Sequence, residues 1–419
     1  MTQHRSPHSA RRAALLWLLA ALLFASGLLQ AGPGRKFRLD GEYGLWVTRS
    51  DSAYRVAWLT PERGAGMLRA WWNDALQVET RTPDSSLAHA VDVPLPPPGV
   101  PAIRLEYGGA DGDSDRHVTR IFTDTLPGVG QLEFDGVDTI GVIGDIHGSF
   151  SELTELLRQG GWVDSSGHWS GGGGHLVLLG DIFDRGHDVI RTLWYVYELE
   201  REALAAGGRL HLVLGNHEIL IFLDDLRYTS GKEQLVARYH GTTYTGLFDR
   251  YRSVLGAWLI TKPGFIRIND ILFTHGGVTP RMLPFTIRSF NDSLHHYLRE
   301  PRFDNLINED TLKAATKSAP YVRRLTFFFG PRSPFWYRDY VNTNHLRTAL
   351  DSVFQHFGAT IQIVAHTPVP YIKSFYGGQV IAVDLERPAS EMLMLYRRRG
   401  RIIEYDRWRV LRDGRRRAL

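Results

Sequence analysis

The chain has 419 residues, 43% apolar and 22% charged, the balance of a globular protein with room for a sizeable core or two ordinary domains. It contains no cysteine, which excludes disulfides, thiolate metal sites and cysteine nucleophiles, so any metal must be held by His, Asp, Glu or Asn. The net charge of +4 has its source at the C-terminal end, where from Arg397 to Arg417 ten Arg stand against Glu404, Asp406 and Asp413. No aromatic ladder is interleaved with them, so residues 397–419 read as a solvated basic strand and tail, and no nucleic-acid partner is expected.

In chain order, Arg5, Arg11 and Arg12 precede an uncharged apolar run at residues 13–29. This is the layout of a secretory signal peptide over residues 1–31, with an uncleaved signal anchor as the alternative and a terminal core helix as the plainer reading. The positive-inside rule keeps the three Arg in the cytoplasm. The rest of the chain is then expected to be exported, periplasmic or anchored to the inner membrane facing the periplasm, with possible membrane association through residues 13–29. Residues 31–36 read as a linker. From residue 38 to 126, apolar positions alternate, as in Tyr54-Val56-Trp58 and Ile103-Leu105-Tyr107, between Pro and Gly clusters such as PLPPPGVP at 94–101. Short alternating runs separated by turn residues predict a small all-β sandwich, fibronectin-III-like in outline.

The pattern changes near Gly136. TIGVIGD (139–145), HLVLLGD (175–181) and RLHLVLGN (209–216) are continuous apolar runs suited to strands buried on both faces. Helical patterns lie between them at 151–159 and 188–206, which predicts βαβ units, a largely parallel sheet and an α/β fold. The Gly-rich insert at 165–174 reads as a surface loop.

Each of the three runs ends in a polar signature: Gly144-Asp145-Ile146-His147-Gly148, then Gly180-Asp181-Ile182-Phe183-Asp184-Arg185-Gly186, then Gly215-Asn216-His217-Glu218. In open α/β sheets the carboxyl ends of the strands converge on one crevice. Two further imidazoles arrive at strand ends, His275 in ILFTHGG and His366 in IQIVAHTP. Taken singly, Asp145 could be a helix N-cap, each His a satisfied core residue and Asn216 a turn residue. Together Asp145, His147, Asp181, Asn216, His275 and His366 have the composition of a binuclear metal centre, with the Asp181 carboxylate able to offer oxygen to both ions.

The series GDIHG, GDIFDRG, GNHE, HGG and AH resembles the calcineurin-like metallophosphoesterases. GDIFDRG is similar to the PPP-type phosphoprotein phosphatase branch. SVLGAWL, ILFTHGGVTP, GPRSPFWYRDY and AHTPVPYIKSFYGGQVIAVD resemble its bacterial Shewanella-like phosphatases. The resemblance implies a metallophosphoesterase β-sandwich core flanked by helices over residues 137–396. It implies two divalent ions (Mn, Fe or Zn), the first on Asp145, His147 and Asp181 and the second on Asp181, Asn216, His275 and His366. It further implies His217 as general acid, oriented by Asp184, and Arg185, Arg338 and Asn216 as contacts to the phosphate. Arg338 sits in a stretch, Trp336-Tyr337-Arg338, that reads as strand-like.

The phosphodiesterases of the superfamily often carry a His-x-His pair where this chain has Ala365-His366-Thr367-Pro368. The missing second His and two Arg suit a monoester. The expected activity is therefore a phosphomonoester hydrolase acting on phosphorylated protein, at Ser/Thr or Tyr, or on a small phosphomonoester. The alternatives are a phosphodiesterase or nucleotide pyrophosphohydrolase, and a membrane-tethered binding module with a vestigial metal site.

Overall fold

A computed structural model describes residues 44–83, 85–111, 116–123, 130–300, 320–398, 400 and 403–419. The expected leader, apolar run and linker lie outside the described residues, and no helix among those described is long and apolar enough to cross a membrane.

Among the described residues the alternating region forms seven strands: β1 Trp46–Arg49, β2 Ala53–Gly64, β3 Gly66–Trp72, β4 Ala75–Arg81, β5 Ser86–Pro94, β6 Ala102–Gly109 and β7 Arg116–Phe122. They make an antiparallel sheet in the order β1-β2-β5 and a second in the order β4-β3-β6-β7. The period-two residues face inward. Tyr54, Val56 and Trp58 from the first sheet and Ile103, Leu105 and Tyr107 from the second are all buried. Trp58 ties the sheets together by donating its indole N–H to Gly108 O at 3.1 Å.

The remaining strands are β8 Glu133–Phe134, β9 Thr139–Ile143, β10 His175–Leu178, β11 Arg209–Leu212, β12 Phe265–Ile268, β13 Ile271–Thr274, β14 Ile361–Val364, β15 Lys373–Phe375, β16 Val380–Ala382, β17 Glu391–Arg397, β18 Tyr405–Leu411 and β19 Arg416–Ala418. They form two six-stranded sheets, β11-β10-β9-β17-β18-β19 and β15-β16-β14-β13-β12-β8. Parallel pairing is narrower than the sequence suggests. In the first sheet it joins β9, β10 and β11, while β17, β18 and β19 add antiparallel. In the second it joins β13, β14 and β16, and also β8 with β12. The C-terminal segment thus extends a core sheet, and its charges are partly matched by Glu391–Arg409 and Asp406–Arg398 pairs. The two sheets share one apolar core, in which Phe134 lies edge-on to His175 and His211.

Two crossover helices follow the first strands. Helix α1, Phe150–Gly160, buries Leu153, Leu156 and Leu157 at helical spacing. Helix α2, Val189–Ala205, carries β10 back to β11 and also receives the N-terminal sandwich. There Trp194 donates to Leu45 O at 3.0 Å, and Tyr197 Oη accepts from Phe122 N at 3.0 Å. A cleft of about 440 Å³ opens at this junction, lined by Thr119, Phe150, Arg191 and Glu198, and includes none of the expected metal ligands.

Candidate metal centre

Asp145 follows β9, Asp181 follows β10 and Asn216 follows β11, starting the short helix α3, Asn216–Phe222. His275 follows β13 and His366 follows β14. The ligand-bearing ends therefore come from both sheets, so the crevice lies between two sheet ends and not outside a single sheet. Asp145 does not cap the helix after it, because the N-cap position of α1 is Ser149.

The six expected ligands meet. His147 Nε2 lies 3.5 Å from Asp145 Oδ2 and 3.9 Å from Asp181 Oδ2. His275 Nε2 lies 3.3 Å from Asp181 Oδ2 and 3.0 Å from Asn216 Oδ1. Asp145 Oδ1 accepts the backbone N–H of His366 at 3.2 Å. Donor atoms of His147, Asp181 and His217 all lie within 4.8 Å of one another, and so do those of Asp181, His275 and His366. Asp181 belongs to both groups, the position anticipated for a bridging carboxylate. His217 in the first group is an addition to the expected ligand set.

The imidazole tautomers are set from behind. His147 Nδ1 donates to Phe183 O at 2.8 Å and His275 Nδ1 donates to Leu179 O at 2.6 Å. Each carbonyl takes the proton on Nδ1 and turns Nε2 toward the centre, where a cation can displace any proton that nitrogen carries, the usual outer-shell arrangement for metal-binding His. Nε2 of His147 and of His366 are buried with no hydrogen-bond partner among the described residues. Buried polar atoms without a partner are rare.

The electrostatics point the same way. Burial alone would lower the pKa of His275, but the Asp181 and Asp145 carboxylates outweigh it and hold the group at about 10. His147 is raised for the same reason, against its burial. Asp384, which sequence reading passed over, is pushed up to about 8 by burial and by Asp145. Such a crowd of buried carboxylates retains protons that divalent cations displace on binding. The orphaned nitrogens and the excess of carboxylate fit divalent cations at the two donor groups that share Asp181.

The backbone is bent to deliver these groups. Among the described residues eleven non-glycine positions have positive φ, and His147, Asp181, Asp184, Arg185 and His366 are five of them. Left-handed backbone costs an L-residue roughly 1 kcal/mol or more, and its concentration here marks a place where position outweighs local comfort. Glycine makes the approach possible. A Cβ on Gly215 would meet Asp181 Oδ1 at 2.2 Å, and one on Gly180, whose φ is +88°, would meet Gly215 N at 2.3 Å. Glu218, quoted in the motif but given no role, is fully buried. It accepts N–H from Asp181 at 2.8 Å, Ile182 at 2.8 Å and Gly215 at 2.7 Å, locking two of the loops to each other.

Around this cluster, His217 Nδ1 donates to Asp184 Oδ2 at 2.6 Å. Asp184 Oδ1 in turn accepts from Thr229 Oγ1 at 2.9 Å. Arg338 Nη1 donates to His366 O at 2.6 Å. Arg338 is not in a strand; it precedes a four-residue helix, Asp339–Asn342. Arg185 is exposed, and its backbone N–H donates to Tyr228 O at 2.9 Å.

Residues 139–370 match the model of the calcineurin-like phosphoesterases. The chain belongs to this family. Within the calcineurin-like phosphoesterases it is similar to Shewanella-like protein phosphatase 2 of Arabidopsis thaliana, 37% identical over 102 residues, which cover 24% of this chain and 26% of that protein. It is also similar to a symmetrical bis(5'-nucleosyl)-tetraphosphatase of Vibrio cholerae, 27% identical over 170 residues, 40% of this chain and 55% of that protein. The match thus spans about half or less of these curated relatives. The solved structure of a cold-active protein-tyrosine phosphatase of a psychrophilic Shewanella species matches with a TM-score of 0.68 and 25% identity, covering 90% of this chain and 98% of that one.

Proposed function

We propose that this chain is a metal-dependent phosphomonoester hydrolase acting on phosphorylated protein. The observation that carries the reading is the sharing of Asp181 by two groups of metal-competent donors, one of which includes His217, whose other nitrogen is bonded to Asp184. Two divalent ions, when bound, supply Lewis-acid charge for the phosphoryl oxygens and activate the attacking water. The rest falls to this chain's own side chains. Asp184 keeps the His217 ring turned so that Nε2 faces the centre, and His217 delivers a proton to the departing ester oxygen. Arg185 and Arg338, with Asn216, hold the phosphate; a guanidinium can give two parallel hydrogen bonds to phosphate oxygens.

The monoester reading is supported by those two Arg and by Thr367-Pro368 following His366, where a second His would close the first ion's shell. The phosphoprotein reading is supported by the similarity to protein phosphatases, and the tyrosine side of it by the Shewanella neighbour. Manganese, iron and zinc all suit the nitrogen and oxygen donors. The leader reading supports a periplasmic site of action, as exported or inner-membrane-anchored protein. A division into an N-terminal β-domain over residues 38–126 and a catalytic domain over residues 137–396 is part of this reading, and the separate sheets of the N-terminal region support it.

The test compares p-nitrophenyl phosphate with its bis ester on manganese-loaded protein. The monoester should be preferred by at least tenfold, and preference for the diester would overturn the reading. A second reading, nucleotide pyrophosphohydrolase, is favoured by the similarity to the bis(5'-nucleosyl)-tetraphosphatase. Rapid cleavage of a dinucleoside tetraphosphate with slow release from phosphopeptides would select it.

A further inference from the structure

The segment Arg227-Tyr228-Thr229 lies between α3 and the next helix, Gly231–Tyr239, and fastens itself to the catalytic pair. Tyr228 O accepts the backbone N–H of Arg185 at 2.9 Å, and Thr229 Oγ1 donates to Asp184 Oδ1 at 2.9 Å. The Tyr228 ring stands beside the His217 imidazole, with centroids 5.3 Å apart and planes inclined at 61°. Arg227, fixed to Asp225 at 2.6 Å, lies 5.7 Å from the centroid of the same ring. Tyr228 is nonetheless 48% exposed, so much of a fixed aromatic side chain is left facing solvent beside the proton donor.

An exposed tyrosine is ordinary in itself. This one is held by its backbone to Arg185 and by its ring to His217, the two groups that address opposite ends of the scissile bond. The leaving oxygen must come within hydrogen-bond reach of His217 Nε2. Whatever is attached to that oxygen then passes the residue that flanks the imidazole. A flat aromatic group gains edge-to-face or offset contact with Tyr228, whereas the single methylene of a serine ester presents little surface to it.

We propose that Tyr228 is the leaving-group wall of the site and selects monoesters of aromatic alcohols, phosphotyrosine in a peptide, over aliphatic ones. The inference rests on the phosphomonoesterase reading above and adds a residue that sets its specificity. In the hydrolysis it favours, the bond from phosphorus to the phenolic oxygen breaks with its electron pair left on that oxygen, and a bond to the water oxygen forms. The proton the water loses passes to solvent, from which His217 is recharged. The phenolic oxygen takes its proton from His217, and Tyr228 exchanges no atom.

The experiment uses the full metal-loaded chain and one peptide sequence carrying either phosphotyrosine or phosphoserine. Tyr228→Ala should lower the ratio of the two kcat/KM values roughly three- to tenfold, the range expected for one aromatic contact. Tyr228→Phe should keep the ratio. Tyr228→Leu, apolar but not planar, reads the same quantity if the Ala variant fails to fold. If both peptides are cleaved and the ratio is unchanged in the Ala or Leu variant, Tyr228 merely props His217 and the specificity role is overturned. If the wild type cleaves neither peptide, the phosphatase reading falls and the inference with it.

Discussion

His217 donates its Nδ1–H to Asp184 Oδ2 at 2.6 Å, and that single bond leaves Nε2 3.7 Å from Asp181 Oδ2. The same nitrogen is therefore placed either to carry a proton toward substrate or to join His147 and Asp181 around an ion. The two roles separate experimentally. For a general acid, His217→Asn should keep two ions per chain while turnover of phenyl phosphate falls about 10²- to 10⁴-fold. Loss of one ion in that variant, measured by elemental analysis, would make His217 a ligand.

Asp184→Asn tests the orienting bond. An amide at this position offers N–H where the imidazole needs an acceptor, so the ring loses its preferred tautomer. Turnover should fall by about 10²-fold for phenyl phosphate and by much less for p-nitrophenyl phosphate, whose leaving oxygen hardly requires a proton. Equal losses on both esters would contradict the assignment.

Arg338 is tethered through Nη1 to the carbonyl of His366. With its position so fixed, Arg338→Ala should cost about 10- to 100-fold in kcat/KM on aryl phosphates, as expected for a charge-assisted bond to phosphate. Inhibition by inorganic phosphate should weaken in parallel, measured as its inhibition constant. An unchanged constant would return Arg338 to a purely structural role.

His175 and His211 face each other across β10 and β11, Nδ1 to Nε2 at 3.1 Å. Burial, with Arg209 adding to it, pushes His175 down to about 4, and burial lowers His211 as well. Between pH 6.5 and 4 these two side chains bind protons in the unfolded chain that they refuse in the folded one, so their contribution to stability falls as pH falls through that window. The His175 share is about 3 kcal/mol at about 1.4 kcal/mol per pKa unit. Replacing both by Gln should flatten the loss between pH 7 and pH 5 in urea denaturation. A slope identical to the wild type would contradict it.

Much of this centre was legible because its chemistry is local in sequence. A buried strand reads as an apolar run, and the polar group that ends it is the next residue but one or two, as with Ile143 and Asp145. The helices at Phe150–Gly160 and Val189–Ala205 followed from period alone. Partner choice between strands did not, since β17 pairs antiparallel with β9 across some 250 residues and nothing local specifies that. Arg338 read as strand-like because its neighbours are aromatic, yet it sits ahead of a helical turn. Glu218 and Thr229 act through contacts with the loop after β10, and although Glu218 stands in a quoted motif, nothing local assigns either residue that contact. The left-handed backbone at Asp181 and His366 is likewise imposed by the packing of two sheet ends.

The central claim, that Asp181 is common to two ion sites, is tested most directly by metal titration of chelated protein with p-nitrophenyl phosphate turnover followed throughout. Wild type should be inactive when stripped and regain activity to a limit at two ions per chain, while Asp181→Asn should bind weakly and remain inactive by about 10³-fold or more. Stripped wild type working at full rate, or Asp181→Asn filling both sites with native affinity, would contradict the account.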